Sequence, residues 1–280
     1  MNFFKWLFRK KENPVKLGIA LGSGGAKGFA EIGALKAFEE NDIHFDVVGG
    51  TSIGSIVGAF YADGYSPTDI MEMLKKINPG EIANKIFFNM DMSGLEKVID
   101  REIGGKDVEQ LKKPFVCVAT EVISGEERLF KTGNVAIRLC ASSCYPPFFR
   151  PVVIDGETLV DGAFTNSVPA DHVKALGADY VVGIDLSDHE PKTGILSKIF
   201  PTYTGGVSEP WKKGYENSNV MLHPNLKGYR SVSFSKAEEM FDIGYNHALG
   251  FIDIIKKDVE ALRKKQKSKK REIIKSQKVI

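Results

Sequence analysis

Two apolar strands that each run into a glycine-rich turn and then a helix constrain this chain more than any other feature. Residues 15–21, Val15-Lys16-Leu17-Gly18-Ile19-Ala20-Leu21, read as a mostly buried strand that ends in glycines. Residues 26–40 have helical spacing, with Ile32, Leu35 and Phe38 on one face, and residues 46–49 form a second short buried strand. Strand, helix, strand in succession implies a parallel sheet. Residues 53–62 form another helix, whose Gly54, Gly58, Ala59 and Ala62 are small enough to let it lie close against that sheet.

The alternation continues. Residues 114–120 and 178–186 are β-branched runs, and between them residues 157–160 read as a strand that Asp161-Gly162 terminates. Residues 64–110 are mostly helical by spacing. Residues 187–220 are irregular, with Pro191, Pro201, Gly205, Gly206 and Pro210 spread through them, and a helix from 236 to about 265 closes the domain.

Apolar residues make up 42% and charged residues 26% of the 280, ordinary globular usage that argues against disorder and against a polytopic membrane protein. The net charge of +2 hides a division: residues 1–16 carry five Lys/Arg against one Glu and residues 256–280 carry eleven against three acids, which leaves −10 on the middle. Basic ends attract anionic surfaces, and charge alone does not choose between nucleic acid and bilayer. Phe3, Phe4, Trp6, Leu7 and Phe8 interleave with Lys5 and Arg9 in an interfacial pattern too short to span a membrane or to serve as a secretory signal. Three organisational units follow: a basic aromatic segment over 1–14, a catalytic domain over 15–255 and a basic tail over 256–280. Cys117, Cys140 and Cys144 are odd in number and lack the spacing of a zinc site or a disulfide framework, so they are expected as reduced, buried thiols. The expected location is the cytoplasm, with peripheral contact at the inner face of the cell membrane.

Gly50-Thr51-Ser52-Ile53-Gly54 follows one strand and opens one helix, the context a nucleophile elbow requires. A sharp strand-to-helix turn lifts the serine hydroxyl clear of the backbone, and glycine two residues to either side avoids collision. Attack by Ser52 on a carbonyl creates an oxyanion, and the loop Gly22-Ser23-Gly24-Gly25-Ala26-Lys27-Gly28 offers backbone amides with a helix dipole behind them. The loop is not a nucleotide P-loop, because Gly28 rather than Ser or Thr follows Lys27. Ser23 stands where a dinucleotide fingerprint needs glycine. The serine also needs a base. Asp161 ends a strand beside Gly162; Asp-Gly is also a common turn pair, and the elbow and loop upstream favour the base. Of His44, His172, His189, His223 and His247, none has a motif around it, and the late His223 and His247 supply a rival triad mechanism.

Together these segments resemble the patatin-like phospholipase family, in particular its compact bacterial members. The match rests on the loop from Gly22 to Gly28, the elbow from Gly50 to Gly54, the stretch Ala141-Ser142-Ser143-Cys144-Tyr145-Pro146-Pro147-Phe148-Phe149, and Asp161-Gly162-Ala163, in that order. Weaker similarity extends the coverage to residues 15–250. The resemblance implies a three-layer α/β/α sandwich with a mostly parallel central sheet. It also implies a Ser52–Asp161 dyad that works without histidine, an oxyanion hole at Gly24 and Gly25, support from Gly28, Gly50, Gly54 and Gly162, and neither metal nor cofactor. The expected activity is lipid acyl hydrolysis through an acyl-enzyme. Acyl transfer by the same dyad and a catalytically weak membrane-binding role are the alternatives. Expected partners are a phospholipid or other acyl lipid and an anionic membrane touched by residues 1–11 and 256–280, with no nucleic acid. Phe87, Phe88, Phe148 and Phe149 are candidates to line an acyl channel. Two positions depart from the family: Ser23 replaces a common glycine, and Glu31 stands where relatives often have histidine.

Overall fold

Alternation along the central strands decides where each helix layer lies. A computed structural model of the chain describes residues 15–76, 90–188 and 209–276, without the side chains of 270–276. Its strands are β1 (Leu17–Leu21), β2 (Val47–Thr51), β3 (Phe115–Glu121), β4 (Glu127–Phe130), β5 (Val152–Ile154), β6 (Glu157–Asp161), β7 (Tyr180–Ile184) and β8 (Val220–Leu222). The helices are α1 (Phe29–Glu40), α2 (Ile53–Ala62), α3 (Pro67–Lys76), α4 (Ser93–Ile103), α5 (Val135–Ser143), α6 (Ala170–Ala175), α7 (Lys212–Asn217), α8 (Ala237–Leu249) and α9 (Ile252–Ser276).

Ile19, Leu21, Val48, Val182 and Ile184 point to one face of the sheet and enter the main core with Ile32, Leu35 and Phe38 of α1, Phe60 of α2 and Met240 of α8. Their neighbours Ala20, Val47 and Val181 point the other way and pack on Ala170 and Val173 of α6. A strand whose two faces are both apolar must be covered on both sides, and the result is the expected α/β/α sandwich. The sheet is mostly parallel, through β2–β3, β1–β2, β1–β7 and β7–β8. Pairs β3–β4, β3–β6 and β5–β6 are antiparallel.

Register then delivers the site. Cys117 and Val118 of β3 pair with both β2 and β4, and Ala119 and Thr120 pair with both β4 and β6. A strand has two edges, so β2 and β6 must share one of them in succession. β2 occupies that edge up to Thr51 opposite Val118, and β6 takes it over at Asp161 opposite Ala119. The two strands therefore meet end to end, with Ser52 leaving β2 at the junction that Asp161 closes.

The single closing helix expected over 236–265 is two helices, α8 and α9, broken at the weak helix former Gly250. α9 runs through position 255, where composition shifts. Ile255 and Val259 are buried, and the Tyr180 hydroxyl donates to Asp258 at 3.0 Å. Among the described residues, no helix is long and apolar enough to cross a membrane.

Candidate active site

The glycine loop begins where β1 stops and is tied down residue by residue. The Gly22 amide donates to Glu31 Oε1 at 2.6 Å, the Ser23 amide to the Ser167 carbonyl at 3.0 Å, and the Ala26 amide to the Ser231 carbonyl at 2.8 Å. The buried Lys27 ammonium reaches Asp188 at 2.9 Å, just beyond the end of β7. Between these ties, the half-buried Gly24 and Gly25 donate their amides to no described residue. Gly25 has φ +58°, and a Cβ there would press on the Ser231 carbonyl at 2.5 Å, so this position requires glycine. Ser23 is not among the residues with positive φ, so a side chain is accommodated there without backbone strain.

Ser52 has φ 55° and ψ −127°, a conformation glycine adopts easily and serine rarely, forced by the turn from β2 into α2. Such strain costs about 1–3 kcal/mol and persists only where the surroundings over-determine it. Here they do. The Ser52 amide donates to Ser142 Oγ at 3.0 Å, and the Ser52 carbonyl accepts from the Ser55 hydroxyl at 2.6 Å. A Cβ on Gly54 would come within 2.5 Å of the Leu21 carbonyl, and one on Gly50 would run into the Gly54 carbonyl, so both glycines are required by close approach. A side chain at Gly28 would likewise strike Ile53, and one at Gly162 would strike the Val118 backbone.

Ser52 and Asp161, 109 residues apart, are joined by a hydrogen bond: the serine hydroxyl donates to Asp161 Oδ2 at 2.6 Å. Asp161 Oδ1 accepts the Ala163 amide at 2.8 Å, which orients the carboxylate, and its main-chain carbonyl accepts from the Thr120 hydroxyl at 3.1 Å. Ser52 is 7% exposed and Asp161 1%. A hydroxyl hydrogen-bonded to a buried, oriented carboxylate has the geometry of an activated nucleophile and its base.

The histidines lie elsewhere. His172 contacts Glu127 and Asp171, the His223 amide donates to His247 Nε2 at 3.2 Å with its ring 3.9 Å from Asp185, and His44 is exposed. Burial, then the neighbouring His223, pushes the His247 imidazole below its ordinary value. Ser52 makes no hydrogen bond to a histidine among the described residues, while His189 lies outside them. Phe87 and Phe88 also lie outside the described residues; Phe149 packs against the main core. All three cysteines are free and buried, and burial pushes the Cys144 thiol up to about 12.

Sequence reasoning missed the part played by two residues, one beside Ser52 and one at the start of the glycine loop. Ser142 lies in the quoted stretch from Ala141 to Phe149, but nothing local marks it as the acceptor for the Ser52 amide. Glu31 is visible as a departure from the family, yet its grip on Gly22 shows only in three dimensions.

The fold and this site define an α/β protein whose serine elbow is paired with a buried aspartate. The chain belongs to the patatin-like phospholipase family, whose profile matches residues 19–174, more than half of its length. It is 25% identical over 281 residues to lysophospholipase nte1 of Aspergillus fumigatus, a match covering 86% of this chain and 18% of that protein. To patatin-like phospholipase domain-containing protein 6 of Mus musculus it is 26% identical over 279 residues, covering 82% of this chain and 20% of the relative. The chain thus spans about a fifth of the length of these relatives. VipD from Legionella pneumophila has a similar fold, at TM-score 0.59 and 12% identity, over 86% of this chain and 67% of that one.

Proposed function

We propose that this protein hydrolyses acyl esters of membrane lipids, with Ser52 as nucleophile, Asp161 as base and the amides of Gly24 and Gly25 as oxyanion donors. The observation that carries this reading is the 2.6 Å bond from the hydroxyl of Ser52, at its strained elbow, to Asp161. In the first step Ser52 Oγ bonds to the ester carbonyl carbon while its proton passes to Asp161 Oδ2. Charge gathers on the former carbonyl oxygen, where the amides of Gly24 and Gly25 stabilise it without reorganising. Collapse expels the alcohol, which takes the proton back from Asp161 and leaves an acyl-serine. Water then attacks the acyl carbon, Asp161 takes its proton and returns it to Ser52, and a fatty acid leaves. A carboxylate acting alone suits this role because it is buried and already within hydrogen-bond reach.

Lysophospholipids and phospholipids are the proposed substrates, by likeness to the relatives' printed names. The catalytic unit is proposed to span residues 15–255. Exposed Lys256, Lys257, Lys264, Lys265 and Lys267 along α9, together with the basic residues 1–11, are proposed to meet an anionic bilayer. Residues 1–11 lie outside those described.

The test is fatty-acid release from anionic and zwitterionic phospholipid vesicles by wild type, Ser52→Ala, Asp161→Asn and His247→Ala. Loss in the first two, by about 10²-fold or more, with His247→Ala active, is the expected outcome. A folded but inactive His247→Ala would replace the dyad with a triad.

A further inference from the structure

We propose that Glu31 is a positioning residue for the reaction at Ser52, working as an uncharged carboxylic acid that fixes the start of the glycine loop. This rests on the function proposed above.

Glu31 lies in the first turn of α1 and is completely buried. Its Oε1 accepts the amide of Gly22, nine residues earlier, at 2.6 Å, and its Oε2 has no hydrogen-bond partner among the described residues. The helix that follows the loop thus reaches back to the loop's first residue, two positions before Gly24. Gly22 cannot shift freely, because a Cβ there would already press on the Ile184 carbonyl at 2.6 Å.

Two protonation states compete for this cavity. An ionised carboxylate would rest on one amide bond, and the effective penalty for a buried ion is several kcal/mol. A neutral carboxyl keeps the same acceptor and leaves one oxygen unpartnered, at a cost of about 1–3 kcal/mol. Burial, and behind it the charge of Asp185, holds the Glu31 carboxyl well above the usual carboxylate range against the pull of the Gly22 amide.

Beyond the Gly22 amide and the first turn of α1, no cationic side chain among the described residues pairs with Glu31, and the charged groups around it are engaged elsewhere. Asp185 lies one residue past the end of β7, accepts the Ser187 amide at 2.9 Å, hydrogen-bonds with the Tyr215 side chain and lies 3.9 Å from His223 Nδ1. His247 of α8 is engaged with the His223 amide. Lys27, the nearest cation in sequence, is turned to Asp188. Where α8 crosses α1 it presents backbone, with Gly244 against Ala30 and Phe241 against Gly33.

Ionising Glu31 would strengthen its bond to Gly22 but leave a buried charge without a counter-ion, and the rearrangement or water entry that relieves that charge would displace the loop that carries Gly24 and Gly25. Losing one oxyanion donor costs about 10²–10³-fold in rate. The expected signature is an alkaline limb in kcat/KM that depends on Glu31. Glutamine keeps an acceptor for Gly22 and stays neutral at every pH.

The test compares pH profiles of fatty-acid release from phospholipid vesicles for wild type, Glu31→Gln and Glu31→Ala. It adds infrared spectra of the Ser52→Ala protein with and without Glu31→Gln. We expect Glu31→Gln to retain most of the wild-type rate at neutral pH and to lose the alkaline limb. Glu31→Ala, which orphans the Gly22 amide, should fall about tenfold or more in kcat with KM little changed. The infrared spectrum at neutral pH should show a protonated-carboxyl band that Glu31→Gln removes. Absence of that band, or a limb that Glu31→Gln leaves in place, would overturn the proposal. A wild type inactive on every vesicle would overturn the hydrolase reading and the positioning role with it, while the band alone still reports the charge of Glu31.

Discussion

Replacing Gly244 by alanine sets helix propensity against packing, and the structure says which wins. Glycine inside a helix costs about 1 kcal/mol relative to alanine, so propensity alone predicts a more stable protein. Yet a methyl group at Gly244 would stand 1.9 Å from the Ala30 carbonyl oxygen and 2.5 Å from its carbon, both backbone atoms of α1. Gly33 on α1 reciprocates, with a Cβ that would stand 2.0 Å from the Phe241 carbonyl oxygen of α8. The two helices cross in backbone contact through a pair of glycines.

Ordinary contact begins near 3.4 Å, so α8 and α1 must part by about 1.5 Å to admit the methyl. Neither a rotamer change nor a flexible side chain can absorb that movement. Overpacking of this kind costs about 1–3 kcal/mol or more, and separation also forfeits dispersion along the rest of the crossing. Because two backbones must move, the cost falls in the upper part of that range, about 2–3 kcal/mol, and subtracting the propensity gain of about 1 kcal/mol leaves a net loss of about 1–2 kcal/mol, or a fall in Tm of about 2–8 °C for a domain of this size. Function should suffer further, because α1 carries Glu31 and Glu31 holds Gly22. A displacement near 1 Å at a catalytic loop can cost about 10²-fold in rate. Urea unfolding and fatty-acid release from vesicles, run on the same Gly244→Ala protein, read the two effects separately. A variant as stable as wild type and fully active would refute the backbone contact and hand the decision to propensity.

Three other outcomes are expected. Ser142→Ala should lose about 1–3 kcal/mol in urea unfolding, together with much of the fatty-acid release, because the buried Ser52 amide is left without an acceptor. Ser142→Thr should restore both, and an unchanged Ser142→Ala would mean that the elbow is held by other contacts. Glu31 gives a pH-dependent stability difference: with its folded value raised above the unfolded one, the native state retains a proton that the unfolded chain releases, so stability falls as pH rises between the two values. Glu31→Gln should therefore match wild type in Tm well below the ordinary carboxylate range and gain on it as pH rises; parallel Tm curves would contradict this. Native protein should leave Cys117, Cys140 and Cys144 unlabelled by a thiol reagent at pH 8, since all are buried and burial pushes each thiol up, whereas urea should expose all three.

The parts of this molecule legible in its sequence are those that local periodicity encodes. β1, β2, β3 and β7 are apolar on both faces and read as strands, and α2 is bounded by Ser52 and Asp63 as its spacing predicts. β4, β5 and β8 are three or four residues long, too short for any period to register, and α6 has only six. Ser52 and Asp161 stand out as residues because an elbow motif and an Asp-Gly strand end are local signals. Their meeting is not local. It depends on β6 taking over the edge of β3 at the residue where β2 gives it up, and nothing within either segment encodes that handover. Successive residues of a strand face opposite sides of the sheet, so a slip of one residue in the β3–β6 register would turn Asp161 away from the Ser52 hydroxyl. Thr120, whose hydroxyl holds the Asp161 carbonyl at 3.1 Å and contacts the Thr165 hydroxyl at 3.0 Å, fastens that register from β3. The identities of Ser52 and Asp161 are thus written in two short motifs, and the geometry of the pair in the pairing of a third strand that belongs to neither.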